Sequence, residues 1–340
     1  MMSDRASQGL RGPVKCCTEE STFRHMKETE IRSEHTTEYD SDGRITLSRS
    51  RNPDGSYWAT RYEYATSGQL LKTASGIEGN APARETRYSY DQQGRLQRIT
   101  KDGGTESPVS FHYDEHGQKT KIAVSRAEDY RPDTATAGES PFEAAGRAPN
   151  LPGGGSATTI HDEQDRPTEV QIRDASGELV SHAFRIYDAE GRVLEEKQTL
   201  DNLVSMFPSD VRAKMLDQSG LSPDQLRQQL GRQLTNLMAG QSETNSVVYR
   251  YDAAGHLIHT SRRIFNWEDE IESTYNEQGD VASETRSMRF AGDNESYSEL
   301  QHSYEYDEHG NWTAKTTSYR SSSDAAFQST TVNKRSLTYY

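Results

Sequence analysis

Tyr88-Ser89-Tyr90-Asp91-Gln92-Gln93-Gly94-Arg95-Leu96 is the stretch that decides the fold. Its two tyrosines are two residues apart, so a β-strand would place both rings on one face. Aspartate bonds nearby backbone amides and glycine accepts a positive φ, so the Asp91–Gly94 segment is typical of a turn. The apolar Leu96 follows the glycine by two positions. The stretch therefore predicts a β-hairpin with one aromatic-aliphatic face and one charged face.

The pattern of tyrosine, aspartate, two variable residues and glycine recurs along almost the whole chain. A worn copy has His161-Asp162 and ends at Asp165 instead of glycine. Most successive copies are about 25 residues apart, which suits two strands and two turns. The repeat-defining residues are Tyr39, Asp40, Gly43, Tyr64, Gly68, Tyr90, Asp91, Gly94, Tyr113, Asp114, Gly117, Tyr187, Asp188, Gly191, Tyr251, Asp252, Gly255, Tyr275, Gly279, Tyr306, Asp307 and Gly310.

These hairpins are expected to assemble into one sheet. A lone hairpin is marginally stable in water, so the units must pair edge to edge. Tyrosines at equal heights would then stack as cross-strand neighbours, each pair contributing ~0.2–1 kcal/mol. Strand twist would curl the long sheet into an arc, a spiral or an open barrel. We predict a mainly β protein of antiparallel hairpins, whose exposed edge strands permit self-association unless the end segments cap them.

Composition excludes several classes of protein. Only 31% of the residues are hydrophobic, the mean hydropathy is −0.98 and there are 18 tyrosines, which suits thin sheets better than a thick core. The net charge of −14 opposes binding to nucleic acid or to an anionic membrane. No apolar run is long enough for a transmembrane segment, and the Met1–Gly12 segment lacks the apolar part of a secretory signal. The adjacent Cys16 and Cys17 provide no disulfide framework.

The spacing of the copies divides the chain. Return turns between copies are predicted at Asn52-Pro53-Asp54-Gly55 and Asp174-Ala175-Ser176-Gly177. Proline and glycine make one long interval typical of a flexible surface loop. The predicted segments are 1–30 (N-terminal segment and opening strand), 31–126 (first half of the repeat array), 127–157 (flexible loop), 158–199 (continued array), 200–241 (helical insertion) and 242–340 (last part of the array and closing strand).

The insertion at 200–241 has the pattern of a helical hairpin. Ser222-Pro223-Asp224-Gln225 is typical of a helix start, with Ser222 as N-cap and Gln225 placed for a capping box. One helical face then carries apolar residues, and Gly240 can end the helix. Those residues are Leu226, Leu230, Leu234, Leu237 and Met238. Ser209-Asp210 begins a shorter helix upstream. The apolar stripe is interpreted as a plug of the open end or concave face of the array, and alternatively as a partner-binding helix.

Few residues suggest a catalytic or metal-binding site. Asp114-Glu115-His116 and Asp307-Glu308-His309 place carboxylates beside histidine, but inside turns where polar residues are expected anyway. Asp40-Ser41-Asp42-Gly43 resembles part of a calcium loop without its bidentate glutamate. The acidic run Glu268-Asp269-Glu270 is interpreted as a solvated strand end. We expect no catalytic residues, no metal and no cofactor.

The repeat resembles that of the YD-repeat (Rhs) family, whose bacterial and teneurin-type members wind such hairpins into large β-shells. The resemblance covers residues 30–320. The segments Gly9–Lys15 and Arg335–Tyr340 resemble the opening and closing strands of small bacterial members. Large relatives enclose a C-terminal toxin that an Asp-Pro-containing segment releases, but this sequence has no Asp-Pro dipeptide. We therefore expect a small bacterial member without the self-cleaving core and toxin segments.

The expected function is that of a non-catalytic YD-repeat scaffold or interaction module, whose partner is an unknown protein or a glycan. One alternative is carbohydrate binding through tyrosine and tryptophan ladders. Trp58, Trp267 and Trp312 could stack on sugar faces, or fill the apolar face between hairpins. A further alternative is a fragment of a secreted toxin-shell system. The resemblance implies a secreted or cell-surface location.

Overall fold

Twenty strands in one antiparallel sheet make up most of the described protein. The computed structural model describes residues 3–24, 30–82, 84–101, 109–124, 142, 154–207, 209–237, 243–264, 267–290 and 295–340. The strands are β1 (Val14–Arg24), β2 (Glu30–Tyr39), β3 (Ile45–Arg51), β4 (Tyr57–Tyr64), β5 (Leu70–Ile77), β6 (Arg84–Tyr90), β7 (Leu96–Lys101), β8 (Val109–Tyr113), β9 (Lys119–Val124), β10 (Gly155–His161), β11 (Pro167–Asp174), β12 (Leu179–Tyr187), β13 (Val193–Leu200), β14 (Glu243–Tyr251), β15 (Leu257–Ile264), β16 (Trp267–Tyr275), β17 (Val281–Phe290), β18 (Ser296–Tyr306), β19 (Trp312–Arg320) and β20 (Gln328–Tyr339). Across these ranges, the helices are all too short or too polar to span a membrane.

The sheet closes on itself. Each strand pairs with its neighbours in the chain, and β20 pairs with β1 from Val14–Tyr339 to Phe23–Thr331. The mainly β prediction is confirmed, but the predicted arc, spiral or open barrel is wrong because the barrel is closed. Closure gives each edge strand a partner for its free N–H and C=O groups. The first and last strands thus cap each other, which is the case in which self-association through sheet edges was not expected.

The antiparallel order places all nine repeat turns at one end of the closed sheet, which we call the YD rim. We call the opposite end the far rim. The predicted return turns are both present there, with Gly55 N–H donating to Asn52 O at 3.0 Å and Gly177 N–H donating to Asp174 O at 3.0 Å. The predicted loop 127–157 lies outside the described residues except for Phe142 and residues 154–157, the last three of which begin β10.

The predicted helical hairpin is present at the far rim, between β13 and β14. It consists of a 3-10 turn (Leu203–Met206), α2 (Ser209–Ser219) and α3 (Pro223–Leu237). The capping box is confirmed, since Ser222 N–H donates to Gln225 Oε1 at 2.9 Å and Gln225 N–H donates to Ser222 Oγ at 3.2 Å.

Only part of the predicted apolar stripe of α3 can be assessed. Leu226 is buried and Leu230 is half-buried. The side chains of Leu234 and Leu237, and all of Met238 and Gly240, lie outside the described residues. The plug role of the stripe therefore stays a prediction.

Buried apolar residues form small clusters on the sheet, consistent with the thin structure that the composition predicts. One contains Phe142, Ala157, Val170 and Ala183, and another contains Val109 and Ile122. The third lies at the junction of the first and last strands and contains Leu10, Val14, Cys17 and Tyr39. The third cluster therefore joins the two ends of the chain.

Residues 3–13, which include α1 (Asp4–Ser7), form an N-terminal strap across the YD rim. At the first repeat turn, Ile45 N–H donates to Asp4 Oδ2 at 2.9 Å. At the last two turns, Arg11 donates to Gly310 O at 2.7 Å and to Gln278 O at 2.8 Å. The strap thus connects the first hairpin with the last two. Sequence patterns did not indicate this helix or its contacts.

Candidate functional site: the YD rim

Where a repeat turn has an aspartate, that side chain is a local acceptor, whereas the Tyr64 copy has Ala65 at this position. In the third copy, Asp91 N–H donates to Arg95 O at 2.9 Å, and Asp91 Oδ1 accepts from the N–H groups of Gln93 at 3.0 Å and Arg95 at 2.9 Å. Gly94 has φ +79°, as the turn chemistry predicts. Asn276 makes the same two acceptor bonds at 3.0 and 2.9 Å, so the amide replaces the carboxylate in this role.

In six copies the tyrosine hydroxyl connects its hairpin to the one before it, whereas the worn copy has His161 in place of the tyrosine. Each hydroxyl donates to a backbone carbonyl of the preceding copy, two residues beyond the last residue of its turn. The register of strand pairing shifts at this point, so the regular ladder of backbone hydrogen bonds is interrupted. These bonds are Tyr64 to Ile45 (2.8 Å), Tyr90 to Leu70 (2.7 Å), Tyr113 to Leu96 (2.6 Å), Tyr187 to Pro167 (2.9 Å), Tyr251 to Val193 (3.0 Å) and Tyr275 to Leu257 (2.8 Å).

The ends of the array use related contacts. Tyr39 has no preceding repeat, and its hydroxyl donates to Gln8 of the N-terminal strap. In the last copy, Tyr304 takes over the carbonyl bond, donating to Val281 O at 2.8 Å. Tyr306 donates instead to Asp280 Oδ2 at 2.8 Å. The strap therefore supplies the acceptor that the first hairpin would otherwise lack.

In four copies an arginine directly follows the last residue of the turn, and the sequence interpretation missed its contacts. Arg44, Arg95, Arg166 and Arg192 each donate through Nε to the aspartate of their own turn, at 2.6, 2.7, 2.8 and 2.7 Å. Their guanidinium carbons lie 5.2, 4.7, 4.6 and 4.9 Å from the ring centroid of the next repeat tyrosine. The recurrence of arginine directly after the turn was the signal that could have found them.

The ring contacts between units that the structure describes at the YD rim differ from the predicted stacking of tyrosines. The residue after the turn packs on the ring of the next repeat tyrosine. In one copy that residue is His256 instead of arginine, and its ring centroid lies 4.5 Å from that of Tyr275. The Tyr304–Tyr306 stack, at 5.8 Å, lies within one strand. Neighbouring units are therefore joined by cation–ring contacts and hydroxyl bonds.

The surroundings of Asp40 and Tyr64 at the YD rim shift their pKa values so that each keeps the protonation state in which it forms its hydrogen bonds. Burial alone would raise the pKa of Asp40, but the backbone N–H and the guanidinium of Arg44 outweigh it and hold that pKa below its usual value. Unfolded aspartate has a pKa of roughly 3.9. The stabilisation from Asp40 is therefore complete above that value and is lost as the pH falls through the lower, folded pKa. Burial raises the pKa of Tyr64 to about 12, so its hydroxyl stays a donor.

The acidic turn residues considered as cation ligands have partners within the protein. Arg44 pairs with Asp40 at 2.6 Å and with Asp42 at 2.8 Å, so a guanidinium occupies the calcium-like fragment. Asp114 and Asp307 each accept two backbone N–H bonds in their turns. In the ranges given above, His, Cys, Asp and Glu form no group of three or more that could hold a metal ion.

The three tryptophans are in different surroundings. Trp58 is 36% exposed, whereas Trp267 and Trp312 are half-buried. Arg335 covers Trp312, with its guanidinium carbon 3.5 Å from a ring centroid, and also pairs with Glu19 at 3.0 Å. Trp58 is therefore the most accessible of the three, and carbohydrate binding through a ladder stays a prediction.

The run Glu268-Asp269-Glu270 is only partly the solvated strand end that was predicted. Glu268 and Glu270 are exposed, but Asp269 is 3% exposed. Arg286 donates to its two carboxylate oxygens at 2.6 and 2.8 Å. The alternation of β16 explains the difference, because Asp269 shares a face with Tyr275. The sequence could not identify its partner on β17.

Three polar residues form a relay that sequence patterns did not reveal. His182 Nδ1 lies 2.7 Å from Asp201 Oδ2, and His182 Nε2 lies 2.8 Å from Thr199 Oγ1. The atom order is that of a hydroxyl–imidazole–carboxylate relay. Antiparallel pairing of β12 with β13 places His182 opposite Thr199. The relay joins these strands where the chain leaves the sheet for the helical insertion.

We expect Gly191→Ala to lower the free energy of unfolding by about 1–2 kcal/mol, because an L-residue is strained at φ +83°. The nearest atom to an added Cβ is Arg166 Nη1 at 4.0 Å, so the cost is backbone strain. Gly191→Asn is expected to cost less, since asparagine tolerates this conformation, as Asp165 does at φ 66° in the worn copy. Urea unfolding measures both variants, and equal losses would contradict this explanation.

A closed ring of hairpins, linked unit to unit by its repeat residues, defines a repeat β-scaffold. Residues 18–134 match the family model described as "Teneurin YD-shell". The resemblance to YD-repeat proteins is therefore confirmed over these residues. No curated protein matches the chain.

Solved structures give broader similarities. A porin-like protein from Bacteroides uniformis is 10% identical at a TM-score of 0.36, covering 96% of this chain and 99% of that one. A porin-like protein from Bacteroides vulgatus is 9% identical at a TM-score of 0.22, covering 94% and 97%. The Tc holotoxin pore of Photorhabdus luminescens is 14% identical at a TM-score of 0.19, covering 87% of this chain and 19% of that one. At these values the similarities carry no argument about function.

Proposed function

We propose that this protein is a non-catalytic YD-repeat scaffold whose closed ring presents the helical insertion at the far rim as an interaction module. The observation that supports this role is the use of the repeat side chains. Tyrosine hydroxyls, turn aspartates and arginines of the YD rim bond neighbouring hairpins or their own turn. These side chains therefore already have partners within the sheet, where they stabilise the turns and join one hairpin to the next.

The insertion has the surface expected of a presented module. Ser205 Oγ donates to Asp174 Oδ2 at 2.9 Å, and Arg227 pairs with Glu178 at 3.3 Å, so these contacts fix the insertion to the β11–β12 turn. The outer side of α3 is polar and exposed, with four glutamines and one arginine. These residues are Gln225, Gln228, Gln229, Arg232 and Gln233. Long polar side chains on a fixed helix suit recognition of another macromolecule.

Replacing residues 201–242 by a copy of the Asp174–Glu178 turn tests the scaffold role. Because β13 and β14 pair directly, we expect the shortened protein to keep its strand circular dichroism and one cooperative thermal transition. The matched control is Tyr187→Phe with Tyr251→Phe, which keeps the insertion and removes two bonds between hairpins. That control should lower the midpoint of unfolding more than the replacement does.

Two results would overturn the proposal. Loss of the cooperative transition after the replacement would make the insertion part of the fold, as a plug would be. Covalent labelling of Thr199 by a fluorophosphonate, abolished by His182→Gln, would make the relay catalytic. Retained folding together with an unlabelled Thr199 supports a scaffold without catalysis.

A further inference from the structure

A cleft of about 420 Å³ lies at the far rim, beneath the helical insertion. The 3-10 turn, α2, the start of α3 and the β11–β12 turn surround it. Its lining includes Asn202, Val204, Arg212, Leu216, Pro223 and Arg227. The volume is at the small end of the range of ligand sites, roughly 300–1,000 Å³, so it suits a ligand the size of one or two amino-acid residues. Polar and apolar groups share the lining.

Of the charged side chains that line the cleft, one arginine is available to pair with a ligand. Arg227 is paired with Glu178 at 3.3 Å. Asp174 accepts from the side chains of Ser176 at 2.6 Å and Ser205 at 2.9 Å, and from backbone N–H groups. Among the described residues, Arg212 has no ion-pair partner. A guanidinium of this kind binds a carboxylate through two parallel hydrogen bonds.

Asn202 provides a second, independent indication of a ligand. Its side chain is buried, with only 5% of the residue exposed, and its Oδ1 has no hydrogen-bond partner in the described structure. Buried polar atoms are nearly always bonded, so this orphaned acceptor lacks a donor. The oxygen has less than 1 Å² of accessible surface, so the Asn202 side chain must rotate toward the cleft that it lines before an amide N–H from a ligand can satisfy it.

We propose that this cleft binds an N-acylated apolar amino acid with a free carboxylate, the chemistry that the last residue of a peptide also has. The carboxylate pairs with Arg212, and the amide N–H donates to Asn202 Oδ1 once that side chain has rotated toward the cleft. The apolar side chain lies against Val204, Leu216 and Pro223. The site goes beyond the scaffold role and rests on the cleft alone, so it stands even where the scaffold proposal fails.

Binding to the full-length protein tests the site. Fluorescence anisotropy would follow a labelled peptide with a C-terminal leucine acid, the same peptide as its amide, and displacement by N-acetyl-leucine. We expect the amide to bind at least about tenfold more weakly, because it loses the charge-assisted pair with Arg212. Tighter binding of the peptide than of N-acetyl-leucine identifies a chain terminus as the ligand, and equal binding identifies a free acylated amino acid.

Matched variants locate the interaction. Arg212→Gln should weaken binding of the acid by about tenfold and leave the amide unchanged. Arg212→Lys, which keeps the charge and loses the planar fork, should fall between. Arg98→Gln, at an exposed position of β7 outside the cleft, should bind like the unmodified protein. Equal binding of acid and amide, or no binding of either at millimolar concentration, would overturn the proposal. So would an Arg212→Gln protein that folds and binds the acid normally.

Discussion

Replacing Glu196 with alanine is expected to lower the free energy of unfolding by about 3–5 kcal/mol, because it removes the buried carboxylate that pairs with the partly buried Arg185 guanidinium. Glu196 is 1% exposed, and Arg185 donates to its Oε1 through Nε at 2.8 Å and Nη2 at 2.6 Å. The Arg185 guanidinium also lies 4.2 Å from the ring centroid of Phe142. Alanine would remove the carboxylate and leave that cation against the ring of Phe142. Chemical unfolding of the purified protein measures the loss.

Two further variants separate the buried charge from the strand position. Glu195 is adjacent and pairs with Lys197 at 3.2 Å in a more exposed setting, so Glu195→Ala should cost no more than about 1 kcal/mol. Replacing both partners, with Arg185→Met and Glu196→Leu, removes the charges together and should recover most of the lost stability. Similar losses for Glu195→Ala and Glu196→Ala would contradict the role of desolvation.

The parts of this fold that follow local rules could be predicted from the sequence. The turn at Asp91–Gly94 and the helix start at Ser222 depend on residues within four positions, and both are present. The pairing of aromatic residues two apart depends only on strand geometry. Local rules therefore predicted the hairpins and the helical insertion.

Closure and the surroundings of the site depend on residues far apart in the chain. The β1–β20 register joins Phe23 to Thr331, and no local pattern contains that pairing. The twist that was expected to give an open arc instead continues until the two edges meet, where the mutual satisfaction of edge groups favours closure. Asn202 and Arg212 likewise line one cleft with Asp174 and Glu178 only because the insertion folds back on the β11–β12 turn. The cleft could therefore not be predicted from the sequence.

The YD rim shows how one repeated residue acquires two roles. Arg192 pairs with Asp188 in its own turn and lies over Tyr251 of the next repeat. The first contact is local and could be inferred from spacing, but the second crosses the long insertion at 200–241. The arginine thus ties together two hairpins that the sequence separates by a helical pair. This explains how the ring stays continuous on either side of an insertion.

We expect Leu10→Ala to lower the free energy of unfolding by about 2–5 kcal/mol, since Leu10 is 6% exposed and packs with Val14, Cys17 and Tyr39. This cluster joins the N-terminal strap to β1 and β2, and Leu337 of β20 packs against it. The loss should therefore act on the junction between the first and last strands. Hydrogen exchange should accelerate most at amides of β1 and β20, because local opening follows the weakest contacts.

Leu71→Ala is the matched control, as Leu71 is 42% exposed on β5 and its truncation should change stability by no more than about 0.5 kcal/mol. Amides of β6 and β7, far from the junction, should exchange at nearly unchanged rates in Leu10→Ala under conditions that favour local opening. Uniform acceleration across all strands would mean that the ring opens only as one unit. Unchanged exchange in β1 and β20 would mean that the strap does not hold the junction. Selective acceleration, by contrast, shows that closure depends on contacts made by the first residues of the chain, which carry none of the repeat pattern.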